Sequence, residues 1–278
     1  MNRQQITPLA RRWLGAVLLG TVLGPFAGAQ PAAQGRALDI AVEDEADLWS
    51  RRDGSGYAND VVRAAYAAVG VEARLHVVPY ARCKAMVAEG SVAACFSMSR
   101  DALLPTAIAF PRTPIFRCAA DFYERADRPL GAKRLEDIPA GTVVGVVRGY
   151  EYPEAVHRLA QNGRITLAYS TSEIVNLRKL VAGRLGAVIV NENEIKTPAY
   201  VSARAGVTGK VRAAFTAGQL ESFIGFNRRD VAATGAMSDF DRGVAIITSN
   251  GVLTRIHDDW VRRVAEEMGR MNTGARGS

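Results

Sequence analysis

The sequence has few histidines and few cysteines, and beyond its first 26 residues it has no long apolar run. Three histidines and three cysteines occur in 278 residues, and no two of them have the spacing of metal ligands. No later stretch approaches the roughly 20 apolar residues that a membrane helix needs. We therefore expect no metal site, no cofactor and no membrane span in the mature chain.

Clusters of one charge sign are also missing. The chain carries 35 Lys and Arg against 28 Asp and Glu, a formal net charge of +7, and the basic residues are scattered along it. Surfaces that bind nucleic acid concentrate Lys and Arg in one run or on one face. No nucleic-acid partner is expected.

The first 29 residues have the pattern of a secretory signal peptide. Arg3, Arg11 and Arg12 precede an apolar run at 13–26, and "AGAQ" then supplies a small-x-small site for cleavage after Ala29. Removal of this segment takes away three arginines and no acidic residue, which lowers the net charge to +4. We expect the mature protein in the periplasm, as a monomer.

The three cysteines are Cys83, Cys95 and Cys118. In an oxidising compartment cysteines tend to pair, and an odd number leaves one thiol over. The sequence therefore predicts at most one internal disulfide, and it does not select the pair.

Strand patterns and helical patterns alternate in two separate blocks, at 37–99 and 142–190. Each block runs strand, helix, strand, helix, strand. That order is typical of a parallel sheet covered by helices. The sequence predicts an α/β fold of two lobes, each with a central sheet flanked by helices.

Two extended segments, 114–127 and 222–230, are suited to hinge crossings between the lobes. Two tail helices, roughly at 236–249 and 251–268, are expected to pack on the first lobe. The predicted boundaries are 36–121 with 222–270 for lobe 1, and 122–221 for lobe 2.

Polar and aromatic residues follow the carboxyl ends of the predicted strands. In open parallel sheets, ligands bind beyond these ends. The two sets of strand ends would face each other across a cleft between the lobes. The clusters lie at 43–49, 79–82, 97–100, 148–152, 170–172 and 191–193.

Five stretches match, in order, the motifs of one family. They are "DGSGYANDVVRAAYAAVG", "VVPYARCKAMVAEGSVAACFSMS", "GTVVGVVRGYEY", "SEIVNLRKLVAGRLGAVIV" and "NGVLTRIHDDW". The chain resembles the extracellular solute-binding proteins of family 3, the two-lobed periplasmic receptors that feed bacterial ABC importers, mostly with polar amino acids. The resemblance implies the type II periplasmic-binding-protein fold, a small-molecule ligand between the lobes and the membrane subunits of an ABC importer as partners.

The sequence departs from this family at the residues that hold an amino acid. Leu104 and Asp101 stand where the family has the arginine for the ligand carboxylate and a threonine, and Asn191 replaces the aspartate that pairs with the ligand ammonium. Gly186 replaces a further aspartate. A charge buried without its partner costs several kcal/mol. An ordinary α-amino acid is therefore not the expected ligand.

Other residues at the strand ends are candidates for ligand contact. Arg82 and Arg148 lie near predicted helix N-termini, and an arginine fork there suits a carboxylate or phosphate. Aromatic rings stack on flat parts of small ligands, and serine and asparagine side chains supply hydrogen bonds. The expected ligand is small, polar and anionic. The predicted contact residues are Trp49, Tyr80, Arg82, Ser97, Ser99, Arg148, Tyr150 and Asn191.

The leading hypothesis is a periplasmic binding protein that delivers its ligand to an importer and is not an enzyme. A ligand sensor that docks on a membrane receptor is an alternative. A secreted dehydratase-like enzyme is another, with Glu43, Glu45 or Glu151 as general acid or base. No Ser/His/Asp, Cys/His or paired-carboxylate arrangement with suitable spacing supports the enzyme.

Overall fold

The fold is taken from a computed structural model, which describes residues 36–100 and 106–274. The predicted signal peptide, and Asp101 and Leu104 from the departures above, lie outside the described residues. Within the described part of the chain, none of the helices has the length and apolarity to cross a bilayer.

The first block folds as a parallel β-α-β-α-β unit. Strand β1 pairs in parallel with both β2 and β3. Helix α2 begins after Pro79 and ends at Gly90, which has a left-handed φ of 84°, a conformation that glycine adopts without steric cost. The elements are β1 (Arg36–Glu43), α1 (Tyr57–Ala67), β2 (Val71–Val78), α2 (Tyr80–Glu89) and β3 (Ala94–Met98).

The second block repeats this pattern, with β6 parallel to both β7 and β8. Helix α3 starts directly after Pro153, because the residue before a proline is restricted away from the helical region. The elements are β6 (Thr142–Val147), α3 (Glu154–Gln161), β7 (Ile165–Ser170), α4 (Glu173–Val181), β8 (Ala187–Glu192) and α5 (Pro198–Ala205).

Two long antiparallel strands connect the blocks, β5 (Phe116–Arg125) and β9 (Val211–Asn227), and the short β4 (Ile108–Ala109) pairs with the end of β9. β9 pairs with β5 over most of its length, and its last residues pair with β3 and β4. The strand order is β2-β1-β3-β9-β5-β8-β6-β7, with β4 beside β9. The predicted crossing 114–127 thus contains β5, and 222–230 contains the end of β9, while the lobe boundaries remain a prediction.

Two helices end the described chain, α6 (Ala233–Ser249) and α7 (Val252–Gly274). Both pack on α1, as expected for the tail helices. α7 also reaches α5 of the second block, where the Tyr200 hydroxyl donates to Glu267 at 3.1 Å. The tail therefore contacts both blocks, whereas the sequence predicted packing on the first lobe.

One disulfide, between Cys83 and Cys95, ties α2 to β3, and Cys118 remains a buried thiol. The prediction of at most one disulfide and a remaining thiol is confirmed. Apolar side chains of both blocks and of β5, among them Phe96, Val146 and Phe122, are fully buried. The strands that carry the site are thus fixed by a packed core and by one covalent link.

Candidate ligand-binding site

A small cavity lies where the carboxyl ends of β1, β3, β6 and β8 meet. Its volume is about 20 Å³, which is room for roughly one water molecule. Side chains from both blocks and from the two long strands line it. The lining residues are Glu43, Trp49, Ser97, Ser99, Phe116, Cys118, Tyr150, Glu151, Asn191 and Ser222.

Four polar atoms of this lining are buried without a hydrogen-bond partner among the described residues. They are Nε1 of Trp49, Oγ of Ser97, Oδ1 of Asn191 and Oγ of Ser222. A buried polar group without a partner costs about 1–3 kcal/mol. One indole donor, one amide acceptor and two hydroxyls are therefore available to form hydrogen bonds with a polar molecule.

Ser97 has a strained backbone at this site. Its φ is 55°, in the left-handed region, and the pairing of β3 with β9 shifts between Phe96 and Met98. Such a bulge bends a strand and changes the direction of its side chains, and strain of this kind clusters at functional sites. Here the carbonyl oxygen of Ser97 lies 3.2 Å from the Tyr80 hydroxyl oxygen.

Glu151 follows β6 in the second block, and its carboxylate contacts residues of the first block. Its Oε2 accepts the Tyr80 hydroxyl at 2.7 Å and the backbone N–H of Ser99 at 3.2 Å. Its Oε1 pairs with Nζ of Lys84 at 2.8 Å, and that ammonium group also donates to the carbonyl of Gly149. Burial raises the pKa of Glu151, against the opposing attraction of Lys84. This carboxylate joins the two blocks.

Glu43 is buried at the end of β1, with 4% of its surface exposed. The hydroxyl of Tyr150 donates to its Oε1 at 2.5 Å. Burial raises the pKa of Glu43 to about 8, with the nearby Glu173 adding to the rise and the Tyr150 hydrogen bond opposing it. Burial therefore favours the protonated form of this carboxyl.

Lys196 is a buried cation next to Trp49, one of the residues that line the cavity. Its ammonium group donates to Glu173 and lies 4.4 Å from the centre of the Trp49 ring. Burial would lower the pKa of Lys196, but the Glu173 carboxylate outweighs that effect and raises it. Glu173 also accepts the backbone N–H of Asn191 at 2.7 Å, so this pair holds the end of β8 in place.

Five of the predicted contact residues line the cavity, and a sixth lies directly beside it. Tyr80 forms a T-shaped contact with Tyr150, with ring centres 5.5 Å apart, and binds the Glu151 carboxylate. The structure therefore brings most of the predicted set together. The five lining residues are Trp49, Ser97, Ser99, Tyr150 and Asn191.

The two predicted arginines are not at the cavity, which corrects the expectation that they face the cleft. Arg82 is exposed on α2, because the inward face of that helix carries Tyr80, Cys83 and Val87 at helical spacing. Arg148 is also exposed, and its guanidinium lies 5.8 Å from the centre of the Tyr169 ring.

Gly149 forms the turn that follows β6. A Cβ at this position would meet Tyr80 at 3.5 Å, which is ordinary contact. Its φ of 89° is what requires glycine. The turn this glycine allows directs the next two side chains, Tyr150 and Glu151, into the cavity.

Several site residues were missed by sequence reasoning. Lys84 lies four residues after Tyr80 on α2, so helical spacing could have placed it on the same face. Glu173 and Lys196 are 23 positions apart, and only the fold pairs them. In the described ranges, no three His, Cys, Asp or Glu side chains are grouped as metal ligands.

Comparison with known proteins finds no matching family model and no matching curated protein. Solved structures do match. A histidine kinase sensor domain with similarity to periplasmic binding proteins is 18% identical, with a TM-score of 0.69, over 81% of this chain and 96% of its own. The amino acid ABC transporter substrate-binding protein AbpA from Streptococcus pneumoniae, bound to L-arginine, is 14% identical, with a TM-score of 0.63, over 82% and 95%.

A third similar structure is an ancestral amino acid-binding protein, a precursor of cyclohexadienyl dehydratase. It is 13% identical, with a TM-score of 0.63, over 81% of this chain and 95% of its own. At these identities the likeness concerns the fold. The chain has the two-lobed periplasmic-binding-protein fold, and the predicted fold class is confirmed.

Proposed function

We propose that this protein is a periplasmic solute-binding protein that closes its two lobes around a small polar ligand. The observation that carries the proposal is the group of four buried, unpartnered polar atoms in one cavity between the blocks. Buried polar groups normally have partners. Four of them in one place, donors and acceptors together, fit a ligand that supplies those partners.

Binding requires the lobes to separate, because the cavity holds roughly one water molecule. Three contacts between the lobes must then break. Glu151 contacts Lys84 and Tyr80, and Tyr150 contacts Glu43. All are polar contacts that water can replace. A ligand that bridges both lobes would shift the balance back towards the closed form.

We also propose that the ligand carries an acidic group, but that this group binds a cation other than the two predicted arginines. Arg82 and Arg148 lie at the surface. Lys196 is paired with Glu173, and both side chains are almost fully buried, whereas Lys84 is partly exposed. Lys84 lies at the rim of the cavity, within 2.8 Å of Glu151, and is the cation we assign to a ligand carboxylate.

Delivery to an ABC importer is the proposed role, with a sensor as the second candidate. The fold is shared with an ABC transporter binding protein and equally with a histidine kinase sensor domain. The predicted signal peptide favours export to the periplasm for both. Co-purification with importer membrane subunits or with a receptor kinase would separate them.

An enzyme on the same fold is favoured by one observation, the buried Glu43. With a pKa of about 8 it could act as a general acid at neutral pH, and one similar structure is a dehydratase precursor. A binding protein releases its ligand unchanged. Analysis of the bound molecule by NMR after hours of incubation distinguishes the two, since an enzyme would convert it.

The first experiment is a thermal-shift screen of residues 30–278 with amino acids, dicarboxylates, aromatic acids, polyamines and phosphorylated molecules. Ligand at about 100 times its dissociation constant adds roughly 2.7 kcal/mol, a rise of about 5–10 °C for a chain of this size. Asn191→Ala should weaken binding of a hit by about tenfold, while the exposed Asn162→Ala should not. If both variants bind alike, the ligand is not in this cavity.

A further inference from the structure

We propose that Tyr80, Lys84 and the backbone N–H of Ser99 form the carboxylate-binding subsite of the first lobe, and that Glu151 occupies it as a built-in competitor of the ligand. The inference rests on the proposed function and names the ligand group that the site takes. It also assigns to Glu151 a regulatory role in place of a catalytic one.

The donors of the subsite are already in position to bind a carboxylate in the absence of a ligand. Three donors from the first block converge on one carboxylate: Nζ of Lys84 at 2.8 Å, the Tyr80 hydroxyl at 2.7 Å and the Ser99 N–H at 3.2 Å. Glu151 is 6% exposed. A buried carboxylate with a cation, a hydroxyl and an amide donor is the arrangement by which proteins bind free carboxylates.

The donors are held on rigid elements. Tyr80 and Lys84 lie on the same face of α2, and Ser99 directly follows β3. The Cys83–Cys95 disulfide links these two elements and sits next to Lys84. Donors fixed in this way lose little freedom when they bind an anion.

The acceptor, by contrast, is on a segment that can move away. Glu151 lies in the irregular stretch between the turn at Gly149 and the start of α3. When the lobes open, Lys84 loses both Glu151 and the carbonyl of Gly149. A ligand carboxylate then takes the place of the Glu151 carboxylate. Because the two compete, an anion that binds more weakly than Glu151 does not displace it.

Acetate tests the subsite without knowledge of the natural ligand. Glu151→Ala removes one CH₂ and one carboxylate, which together have the size of acetate. We expect acetate to bind Glu151→Ala with one-to-one stoichiometry, at least about tenfold more tightly than wild type, in calorimetry or by NMR with labelled acetate. Neutral acetamide should not bind, and Lys84→Met/Glu151→Ala should lose acetate binding. Equal acetate binding by wild type and Glu151→Ala, or none by either, overturns the proposal.

A milder variant keeps the test valid if Glu151→Ala does not fold. Glu151→Gln retains the shape and removes the ion pair, so the cleft should open more often. Cys118 lines the cavity and is buried, and its reaction with a thiol reagent should be at least about tenfold faster than in the exposed control Glu154→Gln. An unchanged rate overturns the proposal. Failure of the proposed function would give a different result. The screen would then find no ligand for wild type or for Glu151→Gln, while Glu151→Ala would still bind acetate.

Discussion

The ammonium group of Lys196 lies 4.4 Å from the centre of the Trp49 indole ring. The same ammonium group donates to Glu173, and both partners are almost fully buried. One cation thus neutralises a carboxylate of the second block and contacts the aromatic wall of the first. Trp49, which lines the cavity, is therefore in contact with the cation of a charge pair that is already formed.

Removal of this cation should destabilise the fold strongly. Lys196→Met leaves the Glu173 carboxylate buried without its partner, and we expect a loss of about 3–5 kcal/mol in the free energy of unfolding. Urea denaturation of the ligand-free protein measures it. The exposed Lys210→Met should change stability by less than about 0.5 kcal/mol, and Glu173→Gln/Lys196→Met should recover part of the loss. A small effect of Lys196→Met would show that the pair is solvated.

Stability should fall as the pH rises towards 8. Burial raises the pKa of Glu43 and of Glu192 to about 8 in the folded protein, while both have ordinary values near 4.3 in the unfolded chain. Between these values the folded state binds more protons. The stabilisation is complete near pH 4 and is lost as the pH approaches 8, at about 1.4 kcal/mol per pH unit for each group.

Urea unfolding at pH 5, 6 and 7 checks this slope. Glu43→Gln cannot ionise, so its slope should be flatter than that of wild type by about 1.4 kcal/mol per pH unit. The exposed Glu45→Gln is the matched control and should keep the wild-type slope. Parallel slopes for wild type and Glu43→Gln would mean that Glu43 ionises normally.

The exposed arginines should contribute little to ligand affinity. Arg82→Ala and Arg148→Ala remove side chains outside the cavity, and we expect the dissociation constant to change by less than about twofold. Lys84→Met removes the charge-assisted contact and should weaken binding by at least about tenfold. Calorimetry with the first ligand found measures all three. A strong effect of Arg148→Ala alone would restore the anchor predicted from the sequence.

The Cys83–Cys95 disulfide should stabilise the first lobe. It closes a short loop, with a sequence separation of 12, and such a cross-link contributes about 3 kcal/mol. Dithiothreitol should therefore lower the melting temperature of wild type, and Cys83→Ala/Cys95→Ala should melt at that lower temperature with or without it. If dithiothreitol lowers the melting temperature of this double variant by the same amount, the effect does not come from the disulfide.

The strand and helix order of both blocks could be predicted because the apolar patterns are regular. Gly90 and Pro153 mark helix ends through local backbone preference alone. α5 and most of β9 were not predicted. α5 has a local signal, with Thr197 as a hydrogen-bonding cap and Pro198 in its first turn. Much of β9 outside its last residues is exposed, so it lacks the apolar pattern that would have identified a strand.

Five residues of the predicted set line the cavity, and strand ends alone decide their position. Trp49, Ser97, Ser99, Tyr150 and Asn191 follow or end strands of parallel units, so the order of elements already brings them towards one edge. The arginines failed because a one-residue change in position turns a side chain to another face of a helix or turn.

The sequence by itself determined the two α/β units, their order and the polar strand ends, because these depend on local periodicity and on the geometry of parallel sheets. The tertiary structure alone decided which charges meet. Glu151 reaches Lys84, Tyr80 and Ser99, and Lys196 reaches Glu173 and Trp49. Side chains so far apart along the chain are brought together by how the two units pack, and burial there sets their protonation and their partners.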